Sequence, residues 1–328
     1  MTNSSPTLVT IVIPAYAHQG MTENCVRRTV DTTRHREDVE IIVADDSSPT
    51  PLTLSPELLE RARIVRTPTN LMFAGACNFA AQAALGEILV FLNNDTEPQT
   101  GWLDELIREM KDDPKIGVVG SRLLYRDGTI QHAGVGFSQR DGIPRHTYRG
   151  FPGDHPAVTR SRDFQAVTGA CFAIRRDVFE RAGGFDRSFI NGYEDIDLCL
   201  KIREFGYRVR YCGSSVVMHH ESVSRRGEIE GLRPEEDDNL RTFTDRWLDK
   251  TVRDEFNIYA DDGLLWVDSG EIYPLVMRCA EELAVVGDIN DTASLAALLN
   301  IRARQIFDLE KDVGYLMALL LDHGIDPR

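Results

Sequence analysis

The amino-acid sequence predicts an α/β fold with a mostly parallel sheet flanked by helices. The first observation is a pair of β-branched runs, residues 8–13 and 40–44, which end in Pro, Asp or Ser as buried parallel strands do. The second is the helical pattern of residues 21–33 between them. The third is a repeat of this order, an Ala-rich helical segment at 74–85 followed by an apolar run at 87–92. This β-α-β-α-β alternation predicts helices on both faces of one sheet.

The pattern continues in the middle of the chain with less regular spacing. Residues 102–111 predict a helix, and residues 116–119 predict a further strand. Gly, Pro, His and Arg dominate residues 125–163, which predicts a long loop or hairpin excursion over the sheet face. We expect order to resume at residues 166–174, followed by a short helix at 177–182.

A change in character divides the chain into two parts. Residues 225–238 are charged and have no apolar rhythm, whereas residues 293–299 and 301–321 have apolar side chains at helical spacing. A chain of 328 residues is long enough for one large domain with a smaller appendage. We therefore assign residues 1–225 to the α/β domain and residues 226–328 to a mostly helical C-terminal region.

Charge and cysteine content restrict the partners and the compartment. With 37 Lys and Arg against 52 Asp and Glu, the formal net charge is −15, which argues against wrapping a nucleic acid but not against binding a nucleotide. The 6 cysteines form no C-x-x-C pair and several lie in apolar runs, so we expect reduced thiols in a cytoplasmic protein. The N-terminus resembles neither a signal peptide nor a membrane span, so any membrane contact is expected to be peripheral.

Two polar clusters follow predicted strands, where ligands collect in open α/β sheets. Asp45 and Asp46 follow the second strand, and Asn93, Asn94 and Asp95 follow the third. The first cluster can accept hydrogen bonds from a nucleobase or a ribose. The second can bind a divalent cation, which would neutralise the phosphates of a departing diphosphate. Each cluster also fits a plain Asx turn at the end of a strand.

Two further clusters lie later in the chain. Glu194, Asp195 and Asp197 begin a helical pattern, and His219 and His220 end a predicted strand. Acidic residues in a first turn are commonly caps or partners of the helix dipole, but a cluster this dense can also supply a general base. A lone surface histidine usually has no special role, whereas a histidine at a strand end beside other ligands is a candidate for a metal site.

Motifs of competing folds are absent from the sequence. No G-x-G-x-x-G follows the first strand, and there is no G-x-x-x-x-G-K-[ST], which excludes a Rossmann dehydrogenase and a P-loop protein. There is also no G-x-S-x-G elbow and no H-E-x-x-H helix, so the sequence does not predict an α/β-hydrolase or a zincin protease.

An ordered series of motifs between residues 8 and 247 resembles glycosyltransferase family 2, including its rhamnosyltransferases. The series is TIVIPAY at 10–16, VADDSS at 43–48, Asn70 with FAGACN at 73–78, LNNDT at 92–96, GACFAI at 169–174, GGFD at 183–186 and YEDIDL at 193–198. Each piece is weak, but the order is specific. The resemblance implies an inverting transferase with the GT-A fold, a Rossmann-like, mostly parallel sheet. It also implies a divalent cation, Mn²⁺ or Mg²⁺, that bridges the diphosphate of a nucleotide-sugar donor.

The same resemblance implies roles for individual residues. Those expected to line the donor are Pro14, Ala15, Tyr16, Asp45, Asp46, Asn70, Gly75, Asn78 and Asn94. In this set Asp45 would accept from the base, with Asp46 close behind it. Asp95 would bind the cation because the first acid of the D-x-D motif is Asn93 here. His219 fits an H-x-x-[GS]-x-S stretch that supplies a further metal ligand, with His220 as the fallback.

The acceptor side is implied by the Glu-Asp pair. Asp195 would deprotonate the acceptor hydroxyl, and Glu194 would position the acceptor or the base. The ending N-x-x-x-F-x-x-[KR]-W of non-processive members is matched by Asn239, Phe243, Arg246 and Trp247. Processive, membrane-embedded relatives have Gln where Phe243 stands, so we expect one or a few sugars per acceptor.

The resemblance implies a hexosyl- or deoxyhexosyltransferase that uses a UDP- or dTDP-linked donor and a glycan or lipid-linked glycan acceptor in bacterial surface glycan assembly. We expect the helices of residues 226–328 to pack on the catalytic domain, to mediate self-association, or to dock at the inner face of the membrane. Two alternatives stay open. A non-catalytic nucleotide-sugar-binding or assembly module is suggested by Asn93. A sugar-1-phosphate nucleotidyltransferase would need a Gly-rich basic loop, which residues 15–21 do not provide.

Overall fold

The computed structural model describes residues 8–220, 234–267 and 275–277. The strands are β1 (Val9–Ala15), β2 (Val39–Asp45), β3 (Ala62–Arg66), β4 (Ile88–Leu92), β5 (Thr96–Pro98), β6 (Ile116–Leu124), β7 (Ile130–His132), β8 (Val135–Phe137), β9 (Pro144–His146), β10 (Arg162–Phe164), β11 (Cys171–Arg175), β12 (Arg208–His219), β13 (Leu265–Val267) and β14 (Leu275–Met277). The helices are α1 (Gln19–Thr33), α2 (Pro56–Leu59), α3 (Met72–Ala83), α4 (Trp102–Asp112), α5 (Pro156–Thr159), α6 (Arg176–Arg181), α7 (Glu194–Glu204), α8 (Pro234–Trp247) and α9 (Glu255–Asp261).

One large sheet has the strand order β10-β12-β6-β11-β4-β1-β2-β3. β1 pairs in parallel with β2 and β4, and β2 pairs in parallel with β3. β11 is antiparallel to both β4 and β6, so those two strands point the same way, and β12 is parallel to β6. The carboxyl ends of β1, β2, β3, β4 and β12 therefore lie along one edge of the sheet. The predicted α/β fold with a mostly parallel sheet is confirmed.

Short strand β5 brings the end of β12 to the end of β4. It pairs antiparallel with β12, and His219 lies opposite Thr96 in this ladder. Because β5 begins directly after Asp95, the ladder places the last residue of β12 beside the loop that follows β4.

Apolar side chains cover both faces of the sheet, as the alternation along β1 requires. Ile11 and Ile13 pack with α1, α2 and α4 on one face, where Trp102 of α4 is fully buried. Val12 packs on the other face with α3, α6, α7 and α8.

One predicted excursion contains the hairpin that the sequence allowed, and two other segments differ from the sequence prediction. Residues 125–163 contain β7, the hairpin β8–β9 and α5, and their Phe137 and Tyr148 are fully buried, so this excursion is part of the core. α2 and β3 lie where no helix or strand was predicted. β3 was missed because it is an edge strand with a half-exposed, charged sequence. Within residues 166–174 the strand starts only at Cys171.

The C-terminal part begins with helices that pack on the sheet domain. α8 starts inside the charged stretch at 225–238, and its Phe243 and Trp247 join the core beside α7. The predicted boundary between residues 225 and 226 lies outside the described residues, as do the helical patterns at 293–299 and 301–321. The two-part division therefore stays a prediction.

The described free cysteines, Cys25, Cys77, Cys171, Cys199 and Cys212, are all buried. In the ranges that the structure describes, no helix combines the length and apolar character needed to cross a membrane.

Candidate active site

Strained backbone marks the loops at the carboxyl edge of the sheet. Of the seven described non-glycine residues with positive φ, all but Tyr148 follow β1, β2 and β3 or precede α7: Ala17 (56°), His18 (52°), Ser47 (58°), Met72 (59°), Asn191 (52°) and Tyr193 (71°). Side chains make this conformation costly, and such residues cluster at ligand-binding and catalytic sites. The strain indicates a functional site at this edge, in loops that also contain predicted site residues.

Asp45, at the end of β2, is 1% exposed and binds the loop that follows it. Its carboxylate accepts the backbone N–H groups of Ser48 at 3.0 Å and Leu52 at 3.2 Å, and Arg66 at the end of β3 donates to the same group. Burial acts to raise the pKa of Asp45, but these hydrogen bonds outweigh it and lower the pKa. Asp45 is thus ionised, and it holds the cation of Arg66 at the predicted nucleotide site.

Asp46 holds the segment that leads into α3. Its Oδ1 accepts from Thr67 Oγ1 at 3.0 Å and from the backbone N–H of Leu71 at 2.8 Å. Gly75 lies one turn farther on, where a Cβ atom would approach Leu71 Cβ to 2.6 Å. Asn70 is exposed in the same loop and accepts from the backbone N–H two residues ahead. Asp46, Asn70 and Gly75 therefore shape one loop beside β2.

Asn78 connects α3 to the loop before α7. Its amide donates to the carbonyl of Phe185 at 2.8 Å and accepts the N–H of Phe185 at 2.9 Å. A side chain at Gly184 would come within 2.5 Å of the Asn78 oxygen. Both groups of the amide are thus used in a contact that positions the 185–193 loop.

The first strand contributes the remaining predicted donor residues. Pro14 and Ala15 end β1 opposite Ala44 and Asp45 in the parallel ladder, and the carbonyl of Ala15 accepts the N–H of Asp46 at 2.8 Å. Tyr16 follows with 48% of its side chain exposed. A ring left open at this edge can lie against a planar base.

Asp95 and His219 meet although 124 residues separate them in the chain. Asp95 Oδ1 lies 3.1 Å from His219 Nε2, and His219 Nδ1 lies 2.6 Å from the side-chain oxygen of Gln131. Asp95 is 8% exposed. Burial acts to raise the pKa of Asp95, but the interaction with His219 outweighs it and lowers the pKa, so the carboxylate is ionised at neutral pH.

His220 points to different partners. Its Nε2 lies 2.7 Å from Glu97 Oε1, and Arg126 donates to its Nδ1 at 2.7 Å. Its backbone N–H donates to the carbonyl of Asp95 at 2.9 Å. The structure therefore places the imidazole of His219, and not that of His220, against the Asp95 carboxylate.

The donor atoms near Asp95 suit a hard divalent cation. A carboxylate oxygen and an imidazole nitrogen are normal ligands of Mn²⁺, and a 3.1 Å separation is close to that of two neighbouring ligands of one ion. The amide oxygen of Asn93 is buried without a hydrogen-bond partner, and an amide oxygen is also a ligand of such ions. Asn94 instead donates to Thr22 Oγ1 at 3.0 Å. Among the described side chains there is no group of three His, Cys, Asp or Glu that could hold a metal.

Asp195 and Glu194 form the first turn of α7. Asp195 Oδ2 accepts the backbone N–H of Gly169 at 2.5 Å, and its Oδ1 accepts the N–H of Ile196 at 2.8 Å. Glu194 is 7% exposed and accepts the N–H of Gly192 at 2.6 Å. Backbone donors thus orient both carboxylates at a helix N-terminus, where negative charge is favoured.

Residues 168–170 connect the two halves of the site. The carbonyl of Ala170 accepts the N–H of Asn93 at 2.9 Å, and the neighbouring Gly169 binds Asp195. A side chain on Gly169 would approach Asp195 Cβ to 3.0 Å. Gly169 and Ala170 form a turn, and the backbone groups of this turn hold the Asn93–Asp95 loop on one side and Asp195 on the other.

Sequence reasoning missed two residues of the site. Arg66 lies on the unpredicted edge strand β3, and Gln131 lies in the 125–163 excursion. Neither belongs to a motif quoted above. A cation at the end of a strand that neighbours Asp45 was a usable signal for Arg66, whereas no pattern along the chain marked Gln131.

This fold and this site define a glycosyltransferase of the GT-A type. Residues 10–183 match the family model described as "Glycosyl transferase family 2", so the chain belongs to that family. The solved structure of GalNAc-T7 with UDP, GalNAc and Mn²⁺ has a TM-score of 0.60 and 19% identity over 78% of this chain and 51% of that chain, which supports the shared fold.

Curated relatives match between about half and two thirds of this chain. The O-antigen biosynthesis protein RfbC of Myxococcus xanthus is 34% identical over 67% of this chain. The N-acetylglucosaminyl-diphospho-decaprenol L-rhamnosyltransferase of Mycobacterium tuberculosis is 24% identical over 57% of this chain and 68% of its own length. The match spans only 18% of RfbC, which is therefore a much longer protein.

Proposed function

We propose that the chain is an inverting, metal-dependent transferase that moves a hexosyl or deoxyhexosyl group from a UDP- or dTDP-linked donor to an acceptor hydroxyl. The acceptor is a glycan or a lipid-linked glycan of a bacterial surface polysaccharide. Asp95 and His219 hold the divalent cation, and Asp195 is the base. Membrane contact and self-association through residues 226–328 stay predictions.

The pairing of Asp95 with His219 is the observation that supports this proposal most directly. It places a carboxylate and an imidazole 3.1 Å apart at the carboxyl edge of the sheet. The predicted donor residues after β1 and β2 lie on one side of this pair. Asp195 lies on the other side, where Ala170 binds Asn93 and Gly169 binds Asp195. A cation site between a nucleotide site and a base is what transfer from a diphosphate donor needs.

The proposed reaction uses the orientation of Asp195. The acceptor hydroxyl loses its proton to Asp195 as its oxygen attacks the anomeric carbon, opposite the leaving diphosphate, so the configuration at that carbon inverts. The hydrogen bonds from Gly169 and Ile196 keep the carboxylate in one rotamer for this attack. Glu194 holds the turn before α7 through Gly192. A divalent cation bound at Asp95 supplies charge neutralisation for the departing diphosphate.

Isothermal titration with nucleoside diphosphates tests the donor half. We expect UDP or dTDP to bind in the presence of Mn²⁺ and to bind much more weakly without it or in Asp95→Asn. Asp104→Asn is the matched control, because Asp104 pairs with Arg36 at the opposite edge of the sheet. If only GDP binds, guanine replaces uracil or thymine as the proposed nucleobase of the donor. If UDP, dTDP and GDP all fail to bind under every metal condition, the chain is not a transferase of this kind.

Asp195→Asn tests the chemical half. We expect this variant to bind the nucleotide like the wild type and to lose at least about 100-fold in kcat, because general-base catalysis contributes about 10²–10⁴. NMR of the transferred sugar would show an inverted anomeric carbon. Wild-type binding of a complete nucleotide-sugar without turnover toward any tested acceptor or water would favour a non-catalytic binding module.

A further inference from the structure

Gln131 holds the ring nitrogen of His219 that faces away from Asp95. Gln131 is 2% exposed, and its side-chain oxygen lies 2.6 Å from His219 Nδ1. A carbonyl oxygen only accepts hydrogen bonds, so Nδ1 is the protonated nitrogen in this contact. The other nitrogen, Nε2, faces the Asp95 carboxylate, and the place between them can be filled by a proton, as in the hydrogen bond described above, or by a cation.

Two acceptors that face each other at 3.1 Å are unfavourable unless a cation or a proton lies between them. With Nδ1 protonated by the contact with Gln131, the Nε2 lone pair and the Asp95 carboxylate form one half of a cation site. A histidine that binds a metal commonly donates its second N–H to a carbonyl or carboxylate, which sets the tautomer and the ring orientation. The amide oxygen of Gln131 has this position relative to His219.

An irregularity in the ladder gives Gln131 its orientation. β7 pairs antiparallel with β6, with His132 opposite Leu123 and Ile130 opposite Leu124. Gln131 is therefore an extra residue between two consecutive pairs, which is a β-bulge. Bulges redirect a side chain and are frequent beside active sites.

His132, the next residue, anchors the bulge. It is fully buried, and its Nε2 accepts the backbone N–H groups of Gly134 at 3.3 Å and Thr168 at 3.4 Å. The second of these contacts reaches the 168–170 segment that binds Asp195 through Gly169. Gln131 is thus held on a rigid support that also contacts the base side of the site.

We propose that Gln131 is a positioning residue that fixes the tautomer and ring orientation of His219 so that Nε2 completes the cation site with Asp95. This inference rests on the proposed function for its metal. The contact between Gln131 and His219 belongs to the folded chain itself and is measurable without metal.

Metal titration of matched variants is the first test. Gln131→Leu removes the acceptor at similar volume, and we expect Mn²⁺ affinity in the presence of the bound nucleotide to fall about 10- to 100-fold. Gln131→Glu retains an acceptor oxygen and should keep the affinity of the wild type or exceed it. Gln165→Leu is the control, because Gln165 is a buried amide bonded to Val252 and Asp254, and its loss should lower stability without changing Mn²⁺ affinity.

Nitrogen-15 NMR of the histidine rings in the metal-free protein is the second test, with His219→Gln used to assign the signal. We expect His219 Nδ1 to be protonated in the wild type and in Gln131→Glu, and to lose this preference in Gln131→Leu. An unprotonated Nδ1 in the wild type would overturn the inference. So would an unchanged Mn²⁺ affinity in Gln131→Leu when the wild type binds Mn²⁺. If the wild type binds no Mn²⁺ with any nucleotide, the proposed function fails, and the NMR result still decides whether Gln131 sets the tautomer.

Discussion

Asp197 connects α7, the helix that begins with Glu194 and the proposed base Asp195, to α8. It is fully buried, and its Oδ1 accepts from Arg246 at 2.6 Å and from Trp247 Nε1 at 2.8 Å. Its Oδ2 lies 2.8 Å from Lys201 Nζ in the next turn of α7. Replacing Asp197 therefore tests whether α8 is part of the same cooperative unit as the sheet domain.

The expected loss of unfolding free energy depends on which partners of Asp197 each variant leaves unpaired. Asp197→Ala removes one partner of a buried ion pair, which typically costs about 3–5 kcal/mol. Arg246 keeps Asp186 as a partner at 2.8 Å and is 32% exposed, so we expect the lower end, about 3 kcal/mol. Asp197→Asn keeps an acceptor for Trp247 and loses only the charge, which should cost about 1–2 kcal/mol.

Urea unfolding followed by circular dichroism measures these losses. Glu204→Ala is the control, because Glu204 at the end of α7 forms an exposed pair with Lys250, which follows α8, and its loss should cost less than about 1 kcal/mol. A double-mutant cycle with Trp247→Phe should give a coupling energy between about 0.5 and 3 kcal/mol. A loss below about 1 kcal/mol in Asp197→Ala, or an early separate transition for α8, would refute the reasoning.

Three further predictions concern pH, thiols and the α3 contact. Burial acts to raise the pKa of Asp186, but its hydrogen bonds, including that from Arg246, hold the pKa well below the ordinary range. At low pH the unfolded chain therefore binds more protons than the folded chain. The contribution of Asp186 to the free energy of unfolding should be fully present above about pH 5 and should be lost as the pH falls below about 4. Acid unfolding curves of the wild type and of Arg246→Met would check this. Burial raises the pKa of Cys25 to about 11 and that of Cys171 to about 12, so both should resist a thiol reagent at about pH 8 until urea is added, and fast reaction in the native protein would contradict their burial. Asn78→Ala should lose about 1–3 kcal/mol of stability, since it leaves two buried backbone groups unpaired, while nucleotide affinity changes little; a selective loss of affinity would instead make the amide a donor ligand.

Several elements followed from local patterns in the sequence. The β-branched runs and the helical periodicity located β1, α1, β2, α3, β4 and α4 within a few residues, because these signals depend on neighbours along the chain. Edge strand β3 was missed because half-exposed strands lack an apolar run. A loop or a hairpin was predicted for residues 125–163, and the structure has the hairpin β8–β9 there; the other short elements and the burial of Phe137 and Tyr148 were not predicted, because they depend on tertiary packing and not on local pattern.

The sequence by itself determined the α/β class, the order of the motifs and the identity of the charged residues at strand ends. Only the tertiary structure decided which of them meet. His219 reaches Asp95 across 124 residues because β12 is parallel to β6 and β5 pairs in one register with its end. A register shifted by one residue would have turned His220 toward Asp95, because successive side chains of a strand point to opposite faces. Strand order, register and the bulge at Gln131 depend on contacts between distant segments, and a pattern along the chain contains no direct record of them.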